Sequence, residues 1–258
     1  MLDIKELIKL NSEGYTQKEM AKKLGVCRSS VQRALKKLNL STPNHHNALK
    51  FDNTVFDCID SEEKAYWLGF LYADGNVSST INNVELSLSA IDTDHLEKYR
   101  RFLKNESPVR IGTVTCNGKI YSRCRLAVTN KHFKEQLISL GCIPNKSLIL
   151  KFPKGIFKYD DLKYHFIRGY VDGDGCISFT KSGRLALEII GTKEFLSSIK
   201  EIFPAFSKLM RNKKWKNNTY FISCTCNKAD KVITKLYKNS KIYLQRKYDR
   251  VAVLSSNW

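Results

Sequence analysis

A long-range repeat constrains this chain more than any other feature of its sequence. Residues 66–75 read YWLGFLYADG and residues 166–175 read FIRGYVDGDG. Gly69 and Gly169, Asp74 and Asp174, and Gly75 and Gly175 keep the same spacing between the two copies. Each copy follows a helix start. Ser61 can cap the first, with Glu62 and Glu63 at its positive end, and Asp160 and Asp161 open the second. Each helix then carries a small residue at every fourth position, Gly69 with Ala73 and Gly169 with Gly173. Such a stripe lets two helix backbones approach closely. Gly75 and Gly175 are expected to end the helices.

The order of elements after each copy also repeats. NVSS and VELSLSA follow the first copy, and CISFTK and RLALEIIG follow the second, all with the alternation of strands. A helix comes next in each half, DTDHLEKYRRFL and GTKEFLSSIKEIF. Leu96 and Leu196 fall at the same offset as the glycines. A second hairpin follows, VRIGTV with YSRCRLAVT and FSKLMRNK with TYFISCTC. The final helices are NKHFKEQLISLG and NKADKVITKLYK. The expected fold class is α+β, two αββαββα halves about a pseudo-two-fold axis between the repeat helices.

The first forty residues differ. Ile4, Leu7, Ile8 and Leu10 give one helix an apolar face. Thr16 and Glu19 form a capping box for a second helix, with Met20, Ala21 and Leu24 inward. Gly25 ends it, and a third helix runs from about Arg28 to Leu38, with Val31, Ala34, Leu35 and Leu38 inward. This is the helix-turn-helix pattern of small DNA-binding domains. In that reading Arg28, Ser29, Ser30, Gln32 and Arg33 face the major groove. The polar, Pro43-containing run after Leu40 reads as a linker. The expected domains are 1–40, a linker over 41–57, and halves over 58–155 and 156–258.

Charge supports a polyanionic partner. The 258 residues hold 44 Lys or Arg against 25 Asp or Glu, a net charge of +19. Such an excess repels itself unless nucleic acid is the usual partner. The N-terminus is too charged for a signal peptide, and no apolar run suggests a membrane span. The eight cysteines are scattered without a CxxC, as in reduced cytosolic proteins. The expected location is the cytoplasm, associated with the nucleoid of a bacterial or phage-infected cell.

The paired motifs Trp67–Gly75 and Ile167–Gly175 resemble those of the LAGLIDADG homing endonucleases, in the single-chain form with two motifs. LGCIPNKSLILKFP (residues 140–153) and YLQRKY (243–248) resemble the segments that follow the last helix of each half in such proteins. The resemblance implies a monomeric site-specific endonuclease acting on double-stranded DNA, with intron RNA as a second candidate partner. A non-cleaving regulator and an RNA maturase are the alternatives. It further implies that Asp74 and Asp174 are catalytic and hold divalent metal, with Mg2+ expected and other divalent ions able to substitute. Backbone carbonyls at Ala73 and Gly173 would complete the metal shell. Asp172, opposite Tyr72 in the repeat, is expected to be structural. Lys119 and Lys216, in hairpins, read as phosphate contacts or solvated loop charge and stand outside the catalytic set. Four hairpins would lay two sheets over the duplex. The DNA-facing candidates are Asn76, Ser78, Ser87, Ser89, Arg110, Arg123, Arg125, Lys181, Arg184, Arg211, Lys213 and Lys214.

Overall fold

The computed structural model describes residues 2–13, 15, 17–40, 50–211, 219–252 and 254. It divides into two compact units, residues 1–50 and 51–258. Among the described residues, no helix is long and apolar enough to cross a membrane.

The first unit holds α1 (Ile4–Ser12), α2 (Gln17–Lys23) and α3 (Arg28–Lys37). Asp3 caps α1 by accepting from the Glu6 N–H. The unit closes on its own small core of Leu7, Leu10, Met20, Ala21, Val31 and Leu35. Ile4, Ile8 and Leu38, expected inward, are exposed, because only one narrow stripe of each short helix meets the others. Gly25 takes a left-handed backbone, φ +63°, between α2 and α3. The capping box at Thr16 lies outside the described residues.

The second unit begins with α4 (Glu62–Asp74), β1 (Gly75–Val77) and β2 (Asn83–Ser89). Helix α5 (Thr93–Phe102), the hairpin β3 (Arg110–Cys116) and β4 (Lys119–Thr129), and α6 (Lys131–Ser139) complete the first half. The second half repeats it with α7 (Leu162–Asp174), β5 (Gly175–Phe179), β6 (Leu185–Gly191), α8 (Lys193–Ile202), β7 (Met210–Arg211), β8 (Tyr220–Thr225) and α9 (Cys226–Tyr237). A further short helix, α10 (Gln245–Val251), has no counterpart in the sequence reading.

The sheets match strand for strand. One runs β1-β2-β4-β3 and the other β5-β6-β8-β7, all antiparallel. The inner strands bury one face, as alternation requires, while β3 and β7 are exposed along their length. Val84, Leu86 and Leu88 point inward from β2, and Leu185, Leu187 and Ile189 from β6. Helices α4 and α7 are buried on every side over 65–72 and 166–172, and lie in the middle of the core. Phe51, Val55 and Phe56, inside the span expected as linker, are packed into that core.

The contact between α4 and α7 is reciprocal. A β-carbon on Gly69 would run into the Phe166 carbonyl, and one on Gly169 into the Tyr66 carbonyl. Those partners are themselves repeat equivalents. Gly75 and Gly175 end the two helices, as expected, but without a left-handed backbone. Their φ values are −69° and −82°, and each helix passes directly into a strand. Glycine is needed there for space, since a β-carbon would press on the carbonyls of Leu71 and Val171.

Candidate active site and nucleic-acid interface

Asp74 and Asp174 are the last residues of α4 and α7. The close helix packing brings their ends side by side. A β-carbon on Gly173 would land on the Ala73 methyl group and lie 3.2 Å from Asp74 Oδ2. Both aspartates reach solvent, yet the surrounding protein removes much of their water. That desolvation, followed by the negative charge of Asp174, raises the Asp74 pKa to about 6. Asp174 is raised by desolvation too, with Lys146 and Lys247 pulling it back.

The two lysines are functional candidates that the sequence reading missed. Lys247 Nζ donates to the carbonyls of Val171 (2.7 Å), Asp172 (2.7 Å), Gly173 (3.2 Å) and Gly175 (2.6 Å). It thereby caps the negative end of α7. Burial lowers its pKa, against the opposing pull of Asp172, Asp74 and Asp174. Lys146 Nζ donates to the Gly75 carbonyl at the end of α4. The available signal was their place in the two return segments, LGCIPNKSL and YLQRKY, at nearly the spacing of the motif repeat. Periodicity carries no such information, because both segments are irregular up to the lysine's turn.

The donor set suits a hard cation. Two like-charged carboxylates and nearby helix-end carbonyls offer oxygen ligands, which magnesium prefers. Among the described residues, no group of three His, Cys, Asp or Glu side chains forms a metal cluster. A metal here would therefore need backbone carbonyls, water or phosphate oxygens besides the carboxylates. The expected carbonyl at Gly173 already accepts from Lys247.

Asp172 is fully buried. It accepts from Tyr66 OH at 2.7 Å, Tyr237 OH at 2.6 Å and the Leu244 N–H at 2.8 Å. Tyr72, its repeat equivalent, donates to the Leu140 carbonyl.

The sheet faces turned away from the helices carry polar groups. Directly opposed residues share a face. The pairs Asn76–Glu85, Ser87–Arg125, Ser89–Arg123 and Arg110–Arg125 therefore bring together most first-half candidates. Glu85 was not anticipated there, and it pairs with Arg125 at 3.4 Å. Glu188, opposite Cys176 and Ser223, occupies the matching place in the second sheet. Other candidates separate from this set. Ser78 accepts from the Thr80 and Ile81 N–H groups in the β1–β2 turn. Arg184 bonds to Asn227 and pairs with Asp230 of α9 at 3.0 Å, which directs it to the helix side. Lys181 is exposed in the β5–β6 turn, and Arg211 is exposed at the end of β7. Lys213, Lys214 and Lys216 lie outside the described residues, and Lys119 is exposed at the start of β4. In the first unit, Arg28, Ser29, Gln32 and Arg33 are exposed on α3, and Ser30 is half-buried.

No protein-family profile and no curated protein matches this chain. Solved structures do. The homing endonuclease I-WcaI bound to its DNA recognition sequence aligns over 84% of this chain and 97% of its own, at 14% identity and a TM-score of 0.57. The I-LtrWI LAGLIDADG homing endonuclease bound to target DNA covers 76% of this chain and 92% of its own, at 13% identity and a TM-score of 0.47. The LAGLIDADG meganuclease I-AabMI bound to uncleaved DNA covers 74% and 91%, at 14% identity and a TM-score of 0.45.

Proposed function

We propose, from a chain with the fold of the LAGLIDADG homing endonucleases, that it is a metal-dependent endonuclease cutting each strand of a specific DNA duplex once. The observation that carries this reading is the pairing of Asp74 and Asp174. The protein packs two carboxylates together at the ends of buried helices, at a cost in mutual repulsion and desolvation.

Asp74 and Asp174 would hold divalent ions, with Mg2+ the expected metal, and the Ala73 and Gly173 carbonyls are proposed to share in the shell. When bound, the metal supplies an activated water and neutralises charge on the phosphate. Each cut is a hydrolysis. Water oxygen bonds to phosphorus, the bond from phosphorus to the 3′ oxygen breaks, and that oxygen leaves protonated. Lys146 and Lys247 bring positive charge beside the carboxylates and fix the helix ends against which the phosphates must sit. One acid from each half suits one scissile phosphate on each strand. The two outer sheet faces would follow the major groove, with Asn76, Ser87, Ser89, Arg110, Arg123 and Arg125 in the first half. The first unit would extend the footprint through Arg28, Ser29, Gln32 and Arg33 on α3. The active form is proposed to be a monomer, because both acids already lie in one chain.

The test is cleavage of a pool of DNA carrying candidate insertion sites, with Mg2+ and mapping of breaks by sequencing. Specific double-strand breaks are expected from the natural chain and none from Asp74→Asn or Asp174→Asn. Tight specific binding without breaks under any divalent ion would instead identify a non-cleaving regulator.

A further inference from the structure

The residue two positions before each helix-end acid reaches back to the segment that carries the lysine. In the second half, Asp172 Oδ2 accepts from the Leu244 N–H, and Leu244 is the residue from which α10 starts. Lys247 lies in the first turn of that helix, its N–H bonded to the Leu244 carbonyl at 3.0 Å. Its ammonium returns to the Asp172 carbonyl at 2.7 Å. A closed loop results, with one residue of α7 gripping both the start of α10 and its lysine. Asp172 Oδ1 also takes the Tyr237 hydroxyl at the end of α9, so the segment between α9 and α10 is held at both ends.

The first half reaches the same result with different chemistry. Tyr72 donates to the carbonyl of Leu140, in the segment that leads to Lys146. The next residue is Gly141, with φ +92°, where a β-carbon would strike the Tyr72 hydroxyl. Cys142 Sγ adds a contact to the Leu71 carbonyl at 3.5 Å. Lys146 then reaches the Gly75 carbonyl. A carboxylate gripping an amide in one half thus corresponds to a phenol gripping a carbonyl in the other.

We propose that Tyr72 and Asp172 are positioning residues, each fixing the lysine that caps its own motif helix beside the paired acids. The role of those lysines in cleavage rests on the endonuclease reading above; the positioning itself does not. Neither residue needs to touch DNA or metal. Outer-shell partners of this kind act by orienting the groups that do.

The first arm reads the lysines without any cleavage. The full chain is reductively methylated with formaldehyde and a borane, and the labelled sites are mapped by peptide mass spectrometry. Lys247 should label slowly beside the exposed Lys241. Asp172→Ala should raise labelling of Lys247 severalfold and leave Lys146 unchanged. Tyr72→Phe should raise Lys146 and leave Lys247 unchanged. Asp172→Asn keeps an acceptor oxygen in the same space, and it provides the folded comparison if the alanine variant unfolds; its Lys247 labelling should lie between those of the natural chain and Asp172→Ala. Unchanged labelling in folded variants overturns the proposal. So does a rise at both lysines in either variant, which would report general loosening. The second arm measures single-turnover cleavage of bound target in Mg2+. Tyr72→Phe and Asp172→Asn should each lose about ten- to a hundredfold in rate at unchanged DNA affinity. Unchanged rates would overturn the positioning role in cleavage. If the natural chain cuts nothing, the endonuclease reading fails, while the labelling pattern still decides whether these residues place the lysines.

Discussion

Gly169 lies against the backbone carbonyl of Tyr66 with no room for a β-carbon, and Gly69 stands in the same relation to Phe166. The obstacle is backbone in both cases, so no side-chain rotation can relieve an added methyl group. Gly169→Ala and Gly69→Ala are each predicted to destabilise the chain by about 1–3 kcal/mol or more, as overpacked cores do. Gly112→Ala, where nothing lies within 4 Å, is the control and should be near neutral. Denaturant unfolding decides between these outcomes. Equal midpoints for all three variants would mean that the helices do not pack through glycine.

Asp74 contributes a distinct part of the pH dependence of the metal-free protein. Its pKa is about 6 in the folded chain, above the ordinary 3.8. A raised acid binds its proton more tightly when folded, so its favourable contribution is lost as pH rises through that interval. Without divalent ions, Asp74→Asn should therefore melt higher than the natural chain at about pH 8, with the difference gone at about pH 4. Adding Mg2+ at about pH 8 should raise the natural chain's melting temperature, and the gain should fade below about pH 6 as protons displace the ion. A metal effect independent of pH would argue against carboxylate ligands.

Glu85 is an acid on a surface proposed to meet phosphate, and it holds Arg125 at 3.4 Å. Glu85→Gln would remove the repulsion and free the guanidinium. DNA binding should tighten, and the slope of log K against log salt should steepen by about 1 if Arg125 gains a phosphate. Titrations at several salt concentrations would show this. Weaker binding to one site alone would mean that Glu85 reads a base, since a carboxylate can accept from cytosine N4.

The first compact unit ends at residue 50. A chain beginning at Phe51 is predicted to remain folded and to cut, with a shorter protected footprint and weaker binding. Footprinting and cleavage assays on the truncated chain test this. Loss of all nicking would show that the two units do not act as separable modules.

The sequence disclosed the features that repeat. The motif spacing located both buried helices and their end acids, and alternation traced the chain order of the eight strands among the described residues, because burial and alternation leave periodic traces. Single contacts leave none. Lys247 looks like one basic residue among many until α10 turns it onto four carbonyls. The glycines after the acids mark the helix ends in the sequence, but glycine serves both conformation and space, and which of the two is in use depends on the packed neighbours. Arg184 reads as a DNA-facing candidate, but its partners on α9 are far away in sequence. Glu85 and Glu188 gain their place on the outer sheet faces from strand register, which leaves no trace in the sequence.

The segment after α9 is bound largely by residues from earlier in the chain. Glu62 accepts the Lys241 N–H, Asp92 holds Arg246, and Lys98 reaches the Tyr243 carbonyl. Ribosomes deliver those partners long before Lys247. A nascent chain can thus form its first half and both motif helices while α7 still lacks its cap. The geometry around the acids is complete only once the α10 segment has followed, so a product that stops before Lys247 carries the motifs without the finished site.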